Sequence, residues 1–222
     1  MNAIIVSDLH IGSPYFLFHD FERFLGNIPQ DHELILNGDI IENPCGKLNS
    51  TQGQILDAIK ETSYRQRVVW VKGNHDNGYA PKALGKVHFK RLHSIEKKLL
   101  VAHGHDFDEI MPRNQAFIKA FKLMHDVRVK LGARPVHVAK YAKRWEIFYN
   151  VLRKNVMMNA VICAMENGFE AVTCGHTHYP EERVLNGIRY LNTGSWTESP
   201  AFYLVVNGKE MTLKKMDDKG KT

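Results

Sequence analysis

The chain has 222 residues, 44% of them hydrophobic, which suits one large domain with a substantial core. No apolar run approaches the roughly 20 residues that a membrane-spanning helix requires, and Met1–Ser7 reads as a strand rather than as a signal peptide. The three cysteines, at 45, 163 and 174, lack metal-type spacing and fit a reducing compartment, while the formal net charge of +6 favours anionic partners. We therefore expect a cytoplasmic protein that forms a single domain over residues 1–222.

Strands and helices alternate in the first third of the chain. Three apolar, β-branched stretches have the composition of buried strands: Ala3–Ser7, Glu33–Asn37 and Arg67–Lys72. Between them, one short amphipathic helix is predicted from near Asp20 until Pro29, and a second over Gln54–Gln66. This alternation predicts α/β layering.

Short strands dominate both sides of a long helical interval in the rest of the chain. They are predicted at 87–89, 98–102, 171–174, 183–185, 188–191, 201–206 and 211–214. Asn186-Gly187 separates two of them and is a strong hairpin signal, so the last third is expected to be mainly antiparallel. The fold class is thus α/β with mixed sheets flanked by helices.

Five predicted strands end in aspartate, histidine or asparagine. The residues are Asp8 and His10; Asn37 and Asp39; Asn74, His75 and Asp76; His103 and His105; and His176 and His178. A turn would explain any one of these clusters. Strand ends converge at one edge of a layered α/β fold, however, so five clusters predict one shared metal or catalytic site.

The interval from about Arg113 to Met165, here called the cap segment, is predicted to be an inserted helical cap. It has apolar stripes at helical spacing (Phe117, Phe121, Met124 and Leu131; Tyr141, Trp145, Phe148 and Leu152) and eleven Lys or Arg against two acids. A solvated basic face and simple packing would explain these features. Alternatively, the segment borders a site for an anionic, partly apolar substrate or touches an anionic membrane surface.

The donor set suits Mn²⁺, Fe or Zn²⁺ rather than a thiolate-bound metal, and seven donors exceed what one ion needs. Two divalent ions are therefore expected, with Mn²⁺ first. Ions about 3.5–4 Å apart can activate water and clamp the oxygens of a displacement at phosphorus. The order Asp-x-His, Gly-Asp, Gly-Asn-His-Asp, His-Gly and Gly-His-x-His resembles the calcineurin-like metallophosphoesterase family from Asp8 to His178.

The resemblance implies a four-layer sandwich of two mixed sheets flanked by helices, and it implies roles for individual residues. Asp8, His10 and His178 would bind the first metal, Asp39 would bridge, and Asn74, His103 and His176 would bind the second. His75 matches the histidine that protonates the leaving oxygen, and Asp76 would orient it. For His105 three roles stay open: it supports a metal ligand, it faces the substrate, or it is structural.

Within the family, the bacterial UDP-2,3-diacylglucosamine hydrolase branch is the nearest resemblance, through the basic helical insertion and Tyr190–Glu198. The best-known members of that branch have Arg where this chain has His75. Lipid-precursor hydrolysis at a peripheral inner-membrane position is the leading expectation, with Arg144 and Arg153 holding a diphosphate. The alternatives are a phosphomonoesterase or phosphodiesterase acting on nucleotides or nucleic acid, and a scaffold of the retromer-subunit kind, although such relatives have lost active-site residues.

Overall fold

The computed structural model describes residues 1–45, 49–79 and 84–216. Over these residues the strands are β1 (Asn2–Val6), β2 (Glu33–Asn37), β3 (Val68–Val71), β4 (His88–Lys90), β5 (His93–Ile95), β6 (Leu99–Val101), β7 (Ala171–Cys174), β8 (Glu181–Leu185), β9 (Ile188–Asn192), β10 (Phe202–Asn207) and β11 (Glu210–Lys215). The α-helices there are α1 (Phe18–Gly26), α2 (Ser50–Arg65), α3 (Ile110–Arg113), α4 (Gln115–Lys130), α5 (Val138–Ala142) and α6 (Glu146–Glu166).

The strands form two mixed sheets. One has the order β11-β10-β1-β2-β3-β4, with β1 to β4 parallel and β10 and β11 antiparallel to their neighbours. The other has the order β5-β6-β7-β9-β8, in which β6, β7 and β9 are parallel. The predicted Asn186-Gly187 hairpin joins β8 to β9, and both of its residues have positive φ, as a two-residue hairpin turn requires.

Alternation along the strands divides the core into layers. In β3, Val68 and Trp70 pack with α1 and α2 on the outer face of the first sheet, whereas Val69 and Val71 pack between the sheets. The outer face of the second sheet is covered by Ala160, Val161 and Ala164 of α6. The predicted four-layer sandwich of two mixed sheets between helices is confirmed.

Element boundaries differ from the sequence predictions in three places. Helix α2 begins four residues early because Asn49 caps it, with Gln52 completing a capping box. Strand β5 was not predicted, since it has three residues and only two of them are buried. Tyr141 and Trp145 were predicted to lie on one helix with Phe148. In the structure the helix is interrupted, because α5 ends at Ala142 and α6 begins after Trp145.

The cap segment packs its two aromatic stripes against each other. The Phe121 ring lies 5.1 Å from that of Tyr141, and the Phe117 ring lies 5.0 Å from that of Phe148. In the described parts of the chain, no helix is long and apolar enough to cross a membrane.

Candidate metal centre

The ends of β1, β2, β6 and β7 bring two groups of donors together at one edge of the sandwich. Asp8, His10 and His178 form the first group, and Asp39, His103 and His176 form the second. Within each group, one ligand atom per residue lies within 4.8 Å of the others. All six residues were predicted as metal ligands from the sequence.

The backbone at these strand exits adopts a conformation that L-residues rarely use. Five of the six donors have φ between 52° and 62°: Asp8, His10, Asp39, His176 and His178. Such conformations cost energy and persist where the surrounding structure demands them, which is typical of functional sites. Gly175 permits the tight approach, because a Cβ there would collide with the Asp8 carboxylate.

In the first group, ring nitrogens face each other in a buried environment. Nδ1–H of His10 donates to Oε2 of Glu42 at 2.6 Å, so the other nitrogen of a neutral ring, Nε2, carries a lone pair. That Nε2 lies 3.2 Å from Nε2 of His178, which in turn lies 3.2 Å from Oδ1 of Asp8. A shared cation between these three atoms would satisfy all of them.

The second group gives the sharper test of metal binding. Nδ1–H of His103 donates to the Asn37 carbonyl at 2.9 Å, which leaves the Nε2 lone pair 3.2 Å from Oδ2 of Asp39. That Nε2 is buried and forms no hydrogen bond with the described residues. Two buried acceptors at this distance require a proton or a metal ion between them, so the donor set fits a divalent ion.

Hydrogen-bond partners fix the ring orientation of three donor histidines. His103 is held by the Asn37 carbonyl and His10 by the Glu42 carboxylate, as described above. Nε2 of His176 lies 2.8 Å from the Asp108 carboxylate. Such outer contacts set the tautomer and raise the basicity of a metal-binding ring. Sequence reasoning missed Glu42 and Asp108, although each follows a strand-exit cluster by three residues.

Charges within the site shift its pKa values in opposite directions. Burial raises the pKa of the Asp39 carboxyl, but His103 lowers it well below the ordinary value. Burial lowers the pKa of His103, yet the Asp39 and Asp8 carboxylates raise it to about 10. Without a bound ion, this pair therefore holds a proton that an incoming metal must displace.

His75 lies beside the first group and forms a third possible donor group with His10 and Glu42, whose ligand atoms also lie within 4.8 Å of one another. Its backbone N–H donates to Oδ1 of Asp39 at 2.8 Å, and its Nδ1–H donates to the Glu42 carbonyl at 2.9 Å. The ring is 4.8 Å from that of His10 and lines the same cavity as Asn74, the remaining predicted ligand. The orientation of His75 leaves Nε2 available for chemistry.

The carboxylate that was expected to orient His75 has other partners. Asp76 accepts hydrogen bonds from the backbone of Ile40, Ile41 and Gly73 and from the Trp70 indole, at 3.0–3.1 Å. It therefore ties the loop after β3 to the loop after β2. In this structure the group that orients the His75 ring is the Glu42 carbonyl.

The three residues predicted to contact substrate occupy different surroundings. His105 is next to the second group, with its ring 5.5 Å from that of His103. Arg144 is exposed and lines a surface cleft with His137. Arg153 pairs with Glu181 at 2.6 Å and stacks on Tyr179 at 3.5 Å.

The donor groups open into a cavity of about 190 Å³ beneath the cap segment. Its polar floor includes His10, Asp39, Asn74, His75, His176 and His178. Its walls are apolar and come from the cap segment, mainly Phe117, Phe121, Phe148 and Leu152. His137 of the cap segment also lines it, and the sequence offered no signal for that residue.

A two-sheet sandwich with paired donor groups at the strand exits is the arrangement of a metal-dependent hydrolase. The chain belongs to the calcineurin-like phosphoesterase family, whose model matches residues 1–180. The chain is therefore a metallophosphoesterase by family, and its candidate donors fit the divalent metals that the family uses.

Solved structures share the fold at low sequence identity. A phosphoesterase from E. coli, Yfce, is 18% identical with a TM-score of 0.51, covering 99% of this chain and 96% of its own. A single-substitution variant of Vps29 from Entamoeba histolytica is 16% identical with a TM-score of 0.52, covering 97% and 91%. A comparison with curated proteins gave no match.

Proposed function

We propose that this chain hydrolyses phosphate ester or diphosphate bonds in substrates with an apolar organic part, and that UDP-2,3-diacylglucosamine-like lipid precursors are the leading class. The observation that carries the proposal is the continuity between the donor groups and the apolar cavity beneath the cap segment. Phosphoryl transfer alone needs no such wall. An apolar wall beside the donor groups suits the acyl part of a lipid-linked substrate.

Each part of the site has a separate task in this proposal. Two divalent ions, Mn²⁺ first among the candidates, would supply an activated water and charge neutralisation at phosphorus. Asp39 holds the His75 backbone, and Glu42 fixes its ring, so that Nε2 faces the leaving oxygen. A protonated His75 would donate its Nε2 proton to that oxygen as the bond to phosphorus breaks.

The cap segment supplies the binding energy for the organic part. Phe117, Phe121 and Phe148 offer continuous aromatic surface, and each buried CH₂ of an acyl chain contributes about 0.8 kcal/mol. A second phosphate would be held by the cleft beside His137, which is lined by Arg134, Lys140 and Arg144 and by no acidic side chain. Arg144 thus remains a candidate for diphosphate recognition, whereas the Arg153 guanidinium is occupied by Glu181.

A substrate panel tests the proposal. The metal-loaded chain is assayed with acylated and deacylated UDP-sugars, aryl phosphomonoesters, aryl phosphodiesters and single-stranded nucleic acid. We expect the acylated UDP-sugar to have the highest kcat/KM. Preferential cleavage of nucleotides or nucleic acid would favour the alternative phosphoesterase, and absence of both bound metal and hydrolysis would indicate a scaffold.

Variants of the cavity wall test the role of the cap segment. Phe117→Ser should raise KM for the acylated substrate several-fold and leave small aryl phosphates nearly unchanged, because only the long substrate reaches the wall. Leu123→Ser is the matched control, since Leu123 lies on the same helix, is 64% exposed and does not line the cavity. Arg144→Ala should raise KM for diphosphates alone. Equal effects on acylated and deacylated substrates would contradict an acyl site.

We also propose that the cap segment contacts an anionic bilayer surface. Trp145, Ile147 and Val151 form one exposed apolar depression that Arg144 and Glu146 border. Ile147 is 85% exposed, an arrangement that a solvated helix does not require. The cap segment as a whole has eleven Lys or Arg against two acids, and exposed apolar side chains on such a basic segment match the chemistry of an acidic headgroup layer.

A further inference from the structure

His137 of the cap segment lies against two histidines of the candidate metal centre. It is 9% exposed, and it caps the N-terminus of α5. Its ring stacks on that of His178 at 5.2 Å with an interplanar angle of 15°, and it lies 5.2 Å from the ring of His10. His137 is nevertheless absent from the donor groups whose ligand atoms converge.

The hydrogen bond at Nδ1 determines which nitrogen carries the proton. The backbone N–H of Ala139 donates to Nδ1 of His137 at 3.3 Å, so Nδ1 is an acceptor. A neutral ring that accepts at Nδ1 carries its hydrogen on Nε2. His137 lines both the cavity above the donor groups and the basic cleft beside it, and among the described residues its Nε2 has no hydrogen-bond partner. It is therefore a positioned donor without a protein acceptor.

The cap segment fixes the position of this ring from both sides. Nε2–H of His125 on α4 donates to the Val136 carbonyl at 3.0 Å, one residue before His137. After it, the His137 carbonyl accepts from Tyr141 at 3.1 Å in the first turn of α5. A donor held by two helices loses little freedom when it meets a ligand, as an electrostatic catalytic group requires.

We propose that His137 donates its Nε2–H to a non-bridging oxygen of the substrate phosphoryl group, on the side of Asp8, His10 and His178, and is thus a catalytic residue supplied by the cap segment. The proposal rests on the proposed phosphoesterase function. His75 and His137 would then act from different sides of His10, His75 at the leaving oxygen and His137 at an oxygen that gains charge as the reaction proceeds. His137 keeps its Nε2 hydrogen throughout the reaction and acts only as a hydrogen-bond donor.

The test compares two substitutions of similar size. His137→Leu removes the donor, and His137→Gln can place an amide N–H near the position of Nε2. With an aryl phosphate that does not reach the cap wall, His137→Leu should lower kcat by about 10²-fold with little change in KM, since the bond strengthens as charge develops. His137→Gln should recover activity to within about tenfold. His88→Leu, the same change at an exposed histidine on β4, should leave activity unchanged.

Metal content by elemental analysis and the thermal midpoint are measured for each variant. Unchanged metal content in His137→Leu supports the donor role. Loss of metal together with activity would make His137 a ligand or a structural residue, and equal inactivity of Leu and Gln variants would assign its effect to ring stacking. Full activity of His137→Leu would also overturn the proposal.

The proposed function can fail independently. If the unsubstituted, metal-loaded chain cleaves no phosphoester, His137 is tested by calorimetric titration with orthophosphate instead. Weaker binding of orthophosphate to His137→Leu than to His137→Gln would support the donor role. Equal binding to the two variants would contradict the donor role.

Discussion

His103 and Asp39 face each other through two acceptor atoms, so metal binding at this pair must depend on pH. The pKa of His103 is raised to about 10, and the ring is therefore protonated near neutral pH when no ion is bound. A bound ion replaces that proton. Metal affinity should therefore fall as pH falls, by about tenfold per pH unit for each proton displaced.

Calorimetric titration with Mn²⁺ in two buffers of different ionisation enthalpy measures the protons released. At pH 7.5 we expect release of about one proton from this pair. A matched titration of His105→Gln should preserve that release, because His105 lies beside the pair without bonding to it. Metal binding with no buffer dependence would contradict the protonated pair.

His75 should prove essential for turnover and dispensable for metal binding. Its Nε2 is the nitrogen left free by the bond from Nδ1–H to the Glu42 carbonyl. His75 lies within 4.8 Å of His10 and Glu42 in a third possible donor group, but outside the groups centred on Asp8 and Asp39. His75→Ala should lower kcat by about 10²–10⁴-fold, the range for a lost general acid. An activated leaving group such as nitrophenolate should recover part of the loss, and elemental analysis should find unchanged metal. Metal loss would make His75 structural.

The donor residues could be predicted because each one lies within four residues after the end of a strand, so the local sequence carries the signal. Glu42, Asp108 and His137 could not be assigned in this way. Their roles depend on rings that reach them across the fold, such as His176 for Asp108, at a sequence separation of 68 residues. Asp76 shows the converse, since its position beside His75 suggested a contact that the loop geometry replaces with backbone donors.

Helix α6, the last helix of the cap segment, packs on the second sheet. Arg153 of this helix makes an ion pair with that sheet. Its guanidinium binds both Glu181 oxygens, at 3.1 and 2.6 Å, and lies 3.5 Å above the Tyr179 ring. Glu181 begins β8 and its side chain is 8% exposed. Helical spacing alone placed Arg153 beside the aromatic stripe without showing which neighbour it would meet.

We therefore expect Arg153→Ala to affect stability more than substrate binding. Removing the guanidinium leaves the mostly buried Glu181 carboxylate with only the distant Arg183, at 4.0 Å, as an ion-pair partner, which should lower the free energy of unfolding by about 1–3 kcal/mol. Urea denaturation measures the loss, and the double variant Arg153→Met with Glu181→Met should recover much of it. Arg113→Ala, which breaks an exposed pair with Glu109, should cost far less. A rise in KM at unchanged stability would restore Arg153 to the substrate site.

For the whole molecule, hydrophobic periodicity and turn signals were enough to predict mixed sheets flanked by helices, and the family resemblance added that there are two sheets packed as a sandwich. Successive residues of β2, such as Leu34 and Ile35, point into different core layers, as expected for a strand with both faces buried. The strand order was not predictable, because β9 lies between β7 and β8, and β10 pairs with β1 across the chain. Such pairings depend on long-range packing that local composition does not encode.

The distribution of charge and apolar surface over the whole molecule leads to a membrane-binding prediction. The chain should sediment with vesicles containing phosphatidylglycerol and not with phosphatidylcholine vesicles, and binding should weaken from 50 to 300 mM salt because the Debye length shortens to below about 8 Å. The double variant Ile147→Ser with Val151→Ser should reduce the bound fraction several-fold at low salt. Val184→Ser is the control, since Val184 is 70% exposed but lies on β8, outside the cap segment. If both variants sediment equally, or if binding does not depend on lipid charge, the membrane prediction is wrong. The exposed apolar residues of α6 would then be better explained as a contact surface for a protein partner.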